Sequence, residues 1–207
     1  MFLSYKLTGM AVSFLLLLLF STLSQIALAQ IKQDNSSFLS YENAAHRIRI
    51  QYPPDWQIIE KDIFPYDDTT TIVDFVKDSN SFSGDLLISV YNLTANTKGL
   101  TINLHKLLDN IIYSYNSYYY TDFKLVESNI TNNTIAGNNP AYKLVWTDTI
   151  SWPDTMGKRY TIKTMQVGTV IEGKLYLLQY YAGLEKYSDN LPTIQRMIHS
   201  FQITNRH

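Results

Sequence analysis

The chain has 207 residues, a formal net charge of −1, 17% charged residues and no cysteine. Without cysteine there is no disulfide, thiolate nucleophile, thiolate metal site or cysteine-borne lipid anchor. A near-neutral chain with no basic block also lacks the electrostatic footprint of a nucleic-acid binder.

The first segment stands apart from the rest. Lys6 is the only charge in residues 1–29, Ala11 to Phe20 is almost wholly apolar, and Ala27-Leu28-Ala29 supplies a small-x-small cleavage pattern. The pattern predicts an export signal cut before Gln30. Met10 to Ala29 also approaches the roughly 20 residues that span a bilayer, so an uncleaved anchor is the alternative. Either reading places the remainder outside the cytoplasm, with residues 30–37 as a short tether and 38–207 as one domain.

Phe38 to Asn43 reads as a first strand. Arg47 to Tyr52 alternates strictly, which puts Ile48, Ile50 and Tyr52 on one face and both arginines in water. Pro53-Pro54 stops the ladder because neither residue has an N–H to donate, and Trp56 enters the next strand, making a corner pinned by a tryptophan. Strands follow at Thr71–Val76 and Asp85–Tyr91. Leu104, Leu107, Leu108, Ile111, Ile112 and Tyr115 then share one helical face, with the tyrosines of 113–120 at the helix end covering a sheet edge, a sugar-stacking platform being the alternative.

The second half reads as hairpins. Phe123–Ile130 pairs with Ala141–Thr147 across a turn at 131–140, and Arg159–Ile171 meets Lys174–Ala182 through Glu172-Gly173. Leu191, Ile194, Met197, Ile198 and Phe201 mark a closing helix capped by Ser188 or Asp189, with Pro192 in its first turn.

Tyr52-Pro53 with Trp56 after an alternating strand, Asn139-Pro140-Ala141-Tyr142 opening a hairpin strand, Lys174-Leu175-Tyr176, and Ser200-Phe201-Gln202-Ile203 at the last helix end together resemble the PsbP-like family, named for an extrinsic protein of photosystem II. The resemblance spans Phe38 to Ile203. It implies an α+β fold, an α/β/α sandwich with a central antiparallel sheet, helices on both faces and no known catalytic residue. Plant members dock on the lumenal side of photosystem II and help retain calcium and chloride, a role that needs an N-terminal extension. Here only residues 30–37 precede the domain, so the chain is similar to exported single-domain relatives of non-photosynthetic microbes, archaea included.

The chemistry that local motifs carry is sparse. The four histidines, His46, His105, His199 and His207, have no zinc spacing, and there is no G-x-S-x-G elbow, G-x-G-x-x-G fingerprint or phosphate loop. Ser83-Gly84-Asp85 reads as a turn. Calcium is the one cofactor to keep in view, since it needs only clustered oxygens in a flexible loop. Asp62, Asp67 and Asp68 form the densest acidic group, and Asp148 with Asp154 flanks Trp152. Asn35, Asn92, Asn129 and Asn132 sit in Asn-x-Ser/Thr sequons, the acceptors of a glycoprotein. The expected function is a non-enzymatic exported domain that binds or stabilises an envelope or membrane protein. A calcium, other metal or small-ligand binder is the alternative, and a hydrolase comes third.

Overall fold

Alternation in the sequence becomes register in a seven-stranded antiparallel sheet of order β3-β4-β5-β9-β8-β7-β6. The computed structural model describes residues 37–63, 69–78, 82–93, 102–135, 139–151 and 158–204, without the side chains of 62–63, 69 and 132–135. The strands are β3 (Gln57–Ile63), β4 (Thr69–Val76), β5 (Asp85–Asn92), β6 (Thr121–Ile135), β7 (Asn139–Ser151), β8 (Arg159–Ile171) and β9 (Lys174–Gly183). A second sheet of order β1-β2-β10 joins β1 (Leu39–Asn43), β2 (Ile48–Tyr52) and β10 (Gln202–Ile203). Among the described residues the α-helices are α1 (Leu104–Ser114) and α2 (Tyr187–Ser200).

Successive side chains point to opposite faces of a strand, so each face of the large sheet carries its own core. Phe75, Leu86, Tyr180, Met165 and Val145 lie in one row across β4, β5, β9, β8 and β7, and pack with Ile194, Met197 and Ile198 of α2. On β9 the alternate residues Leu175 and Leu177 pack instead with Leu108 of α1, beside Tyr142, Leu144 and Trp146 of β7. Both faces are covered, which is why β9 reads as a nearly continuous apolar run and β8 is buried without a break from Thr164 to Thr169. The architecture is α+β, a central antiparallel sheet between α1 on one face and α2 with the small sheet on the other.

The corner at the double proline forms as read. Trp56 is buried, and its N–H donates to the Pro53 carbonyl at 3.1 Å. Tyr52 packs on Phe75 with ring centroids 5.4 Å apart. Glu172 and Gly173 both take positive φ, 50° and 74°, as a two-residue hairpin turn matched to strand twist requires.

Four expectations need correction. Arg49 does reach solvent, pairing with Glu42 at 2.6 Å, but Arg47 precedes the strand at φ 59°. Its side chain folds back to donate to the Thr204 carbonyl at 3.0 Å and to Glu172 at 2.8 Å, tying the chain end to the β8–β9 turn. The segment 131–140 is strand through Ile135 and again from Asn139, because the β6–β7 ladder continues to the pair Ile135–Asn139 and overrides local turn propensity. Helix α2 begins one turn earlier than its apolar stripe suggests: buried Tyr187 opens it against Tyr180, Lys186 is the cap residue, and Pro192 falls in the second turn. The small sheet was not foreseen, since a two-residue β10 leaves no periodicity to read.

Candidate functional site

The end of α1 builds the most exposed aromatic surface among the described residues. Asn103 caps the helix by accepting from the Lys106 N–H at 3.1 Å. After Ser114 the chain continues as a five-residue π-helix, Tyr115–Tyr119, closed by the Tyr120 N–H on the Tyr115 carbonyl at 3.3 Å. A wider turn changes which tyrosines face the sheet. Tyr115 and Tyr120 turn inward, their ring centroids 5.1 and 5.5 Å from that of Trp146. Tyr113, Tyr118 and Tyr119 turn outward, 62%, 73% and 72% exposed.

Of the two inner tyrosines, Tyr115 is fixed by polar bonds as well as packing. Gln166, fully buried, donates to the Tyr115 hydroxyl at 3.0 Å and accepts from the Tyr142 hydroxyl at 3.3 Å. Burial pushes the Tyr115 hydroxyl up to about 12, and it pushes those of Tyr120 and Tyr142 well above their ordinary value. Tyr115 and Tyr142 are therefore neutral hydrogen-bonding anchors at any physiological pH, and Tyr120 is a neutral packing one. The outer ones stand on a rigid base.

Beside them runs β6, the edge strand of the large sheet. Asp109, Ile112, Tyr113, Asn116, Phe123 and Leu125 enclose a groove of about 450 Å³ between α1 and β6. Leu125 and Val126 are 46% and 55% exposed, next to a register shift between Leu125 and Glu127. Two further shifts interrupt β6, and such bulges blunt an edge against pairing with another strand. What this surface offers is side chains rather than free backbone.

The sequence-predicted acidic site is not brought together among the described residues. Asp67, Asp68 and Asp154 lie outside them, and Asp62 belongs to β3 with an undescribed side chain. Asp148 is buried on β7, where desolvation raises its carboxyl. Among the described residues no three His, Asp or Glu side chains converge as metal ligands. A different carboxylate pair does meet, on the α1 side of β4 and β5. Asp74 accepts from Lys61 Nζ at 3.0 Å, Asp85 accepts from the Tyr181 hydroxyl at 3.1 Å, and both Oδ1 atoms are buried without a hydrogen bond. Burial first, and the Asp74 charge second, push Asp85 up to about 6.

The family-motif residues prove to be packing and linking groups. Tyr176 and Phe201 face each other at 6.3 Å, and the Pro140 carbonyl accepts from Thr169 at 2.8 Å. The Ser200 hydroxyl accepts from the Gln51 N–H at 2.8 Å and donates to the Met197 carbonyl at 2.7 Å, joining α2 to the small sheet. Of the sequon residues, Asn35 lies outside the described residues and Asn132 is on β6 with an undescribed side chain. Asn92 is exposed at the end of β5, and Asn129 donates to Glu127 at 2.9 Å. Ser83 occupies a turn, donating to the Asp78 carbonyl at 3.1 Å.

The solution structure of cyanobacterial PsbP (CyanoP) from Synechocystis sp. PCC 6803 superposes with a TM-score of 0.56 at 11% identity, covering 83% of this chain and 95% of that one. The fold is PsbP-like. Similarity extends, with TM-scores of 0.49 and 0.48, to LpqN of Mycobacterium tuberculosis, described as involved in cell envelope biogenesis, and to the Ran-binding protein Mog1p of Saccharomyces cerevisiae. LpqN is 14% identical, with 84% of this chain and 88% of that one covered; Mog1p is 9% identical, with 83% and 97% covered. No protein-family description matches the sequence, and no curated protein does. Among the described residues no helix is long and apolar enough to cross a membrane.

Proposed function

We propose that the chain is an exported, non-enzymatic binding module of PsbP-like fold that docks on an envelope or membrane protein at the outer face of the membrane. The observation that carries this reading is the set of outward tyrosines, Tyr113, Tyr118 and Tyr119, held at the π-turn beside exposed Leu125. Tyrosine brings large contact area and a polar tip at low conformational cost, the profile of an interface anchor. The apolar run ahead of Gln30 supplies the export part of the proposal, and the sequon at exposed Asn92 is the acceptor best placed for a glycan.

Affinity capture from intact host envelopes tests the reading, with the chain and its Tyr118→Ser/Tyr119→Ser variant as paired baits. A partner retained by the first and lost by the second is the expected result. Equal recovery by both baits, or no recovery above background, contradicts it.

A further inference from the structure

On the other face of the large sheet, away from the tyrosines, α2 and strands β6, β7 and β8 enclose a groove of about 260 Å³. Its floor is aliphatic, formed by Met165, Val167 and Ile198, each less than 8% exposed. Its rim is polar and comes from three elements. Glu127 and Asn129 stand two apart on β6, Lys143 faces them from β7, and Gln195 with His199 stand four apart on α2.

The charges of this rim cancel within it. Lys143 Nζ donates to both Glu127 oxygens, at 3.0 and 2.9 Å, and Asn129 donates to Glu127 Oε1 at 2.9 Å. An anionic ligand would face a carboxylate, a cationic one an ammonium, and each of those is already matched to the other. The remaining groups are neutral hydrogen-bonding ones. His199 Nδ1 lies 2.6 Å from the Gln195 carbonyl, which can only accept, so Nδ1 carries the proton. In the neutral ring Nε2 is therefore an acceptor, and the Gln195 side-chain amide is unbonded among the described residues. Amides and an imidazole acceptor above an aliphatic floor complement a molecule that has an apolar body and its own amide. The volume lies just below the roughly 300–1,000 Å³ of sites for drug-sized molecules, so the ligand is small.

We propose that this groove binds a small uncharged ligand that pairs an aliphatic body with an amide group. The site is independent of the docking surface and uses none of its residues.

The test is a titration of the full chain with three probes of one shape and different charge: N-acetyl-leucinamide, N-acetyl-leucine and leucinamide. The readout is the NMR methyl shifts of Met165, Val167 and Ile198. Saturable shifts are expected with the neutral probe, in about the millimolar range typical of so small a ligand. Both charged probes are expected to bind at least about tenfold more weakly, because each must desolvate an unmatched charge. Gln195→Trp, at an exposed helix position, lays a ring across the groove without touching the core and is expected to abolish the shifts. Tyr118→Ser is expected to leave them unchanged. Three probes that bind alike, a neutral probe that gives no saturable shift, or binding that survives Gln195→Trp in a folded protein overturns the proposal.

Discussion

Gly168 on β8 sits where sheet and aromatic core approach most closely. A Cβ there would lie 2.4 Å from Tyr142 Cε1, and that ring is fully buried between the sheet and α1. Gly168→Ala is expected to lower unfolding stability by about 1–3 kcal/mol, the usual cost of overpacking a core that cannot shift. Chemical denaturation measures it. Asp85 gives a prediction of different sign. Burial and the neighbouring Asp74 hold it at about 6, against 3.8 for an ordinary aspartate, so the folded chain keeps a proton that the unfolded chain has released. This carboxyl therefore favours folding fully below 3.8, and that contribution is lost as pH rises through about 6. Asp85→Asn still accepts from Tyr181 and removes the charge. It is expected to raise the denaturation midpoint at pH 7 and to flatten the decline between pH 4 and 6. An unchanged pH profile would show that Asp85 does not set the slope.

At the scale of elements, legibility followed periodicity. The stripe of α1 and the alternation of β2, β5 and β7 are each written within one segment, and each forms there, with β2 starting at Ile48 and β7 extending from Asn139 to Ser151. The π-turn is not so written: Tyr115 to Tyr119 carry no spacing that separates an α from a π continuation, and the choice follows from Tyr115 and Tyr120 both reaching Trp146. The start of α2 was misplaced because Pro192 resembles a first-turn residue, while the tertiary contact of Tyr187 with Tyr180 extends the helix ahead of it. The Ser200 hydroxyl joins α2 to β2. Ser200→Ala is expected to cost about 0.5–1.5 kcal/mol, the net worth of a hydrogen bond, and to speed amide exchange at Gln51 while the β8–β9 amides keep their protection. Uniform loss of protection would place the effect elsewhere.

For the whole molecule, the sequence carried the sandwich because both faces of its central strands are apolar, and order along the chain did the rest. The surfaces that could act were harder to see. The outer tyrosines were visible only as a cluster, with nothing to tell Tyr113, Tyr118 and Tyr119 from the buried Tyr115 and Tyr120. The groove under α2 was missed because its rim residues are ordinary solvated positions when read locally. Glu127 and Asn129 alternate on a strand, Gln195 and His199 flank an apolar stripe, and only the fold brings them to Lys143. Of the acidic residues that did draw attention, Asp67, Asp68 and Asp154 lie outside the described residues, and the Asp62 side chain is undescribed. A function carried by surfaces leaves little local motif, because contact area and shape need no fixed spacing in sequence.

The docking reading is tested most directly by site-specific photocrosslinking in the native cell. A benzoylphenylalanine replaces Tyr118 in one strain and Ser40, exposed on β1, in another. The account predicts one discrete crosslinked protein from position 118 and none from position 40. Crosslinks that are absent from 118, or identical at both positions, would contradict the claim that the tyrosine surface is the docking face.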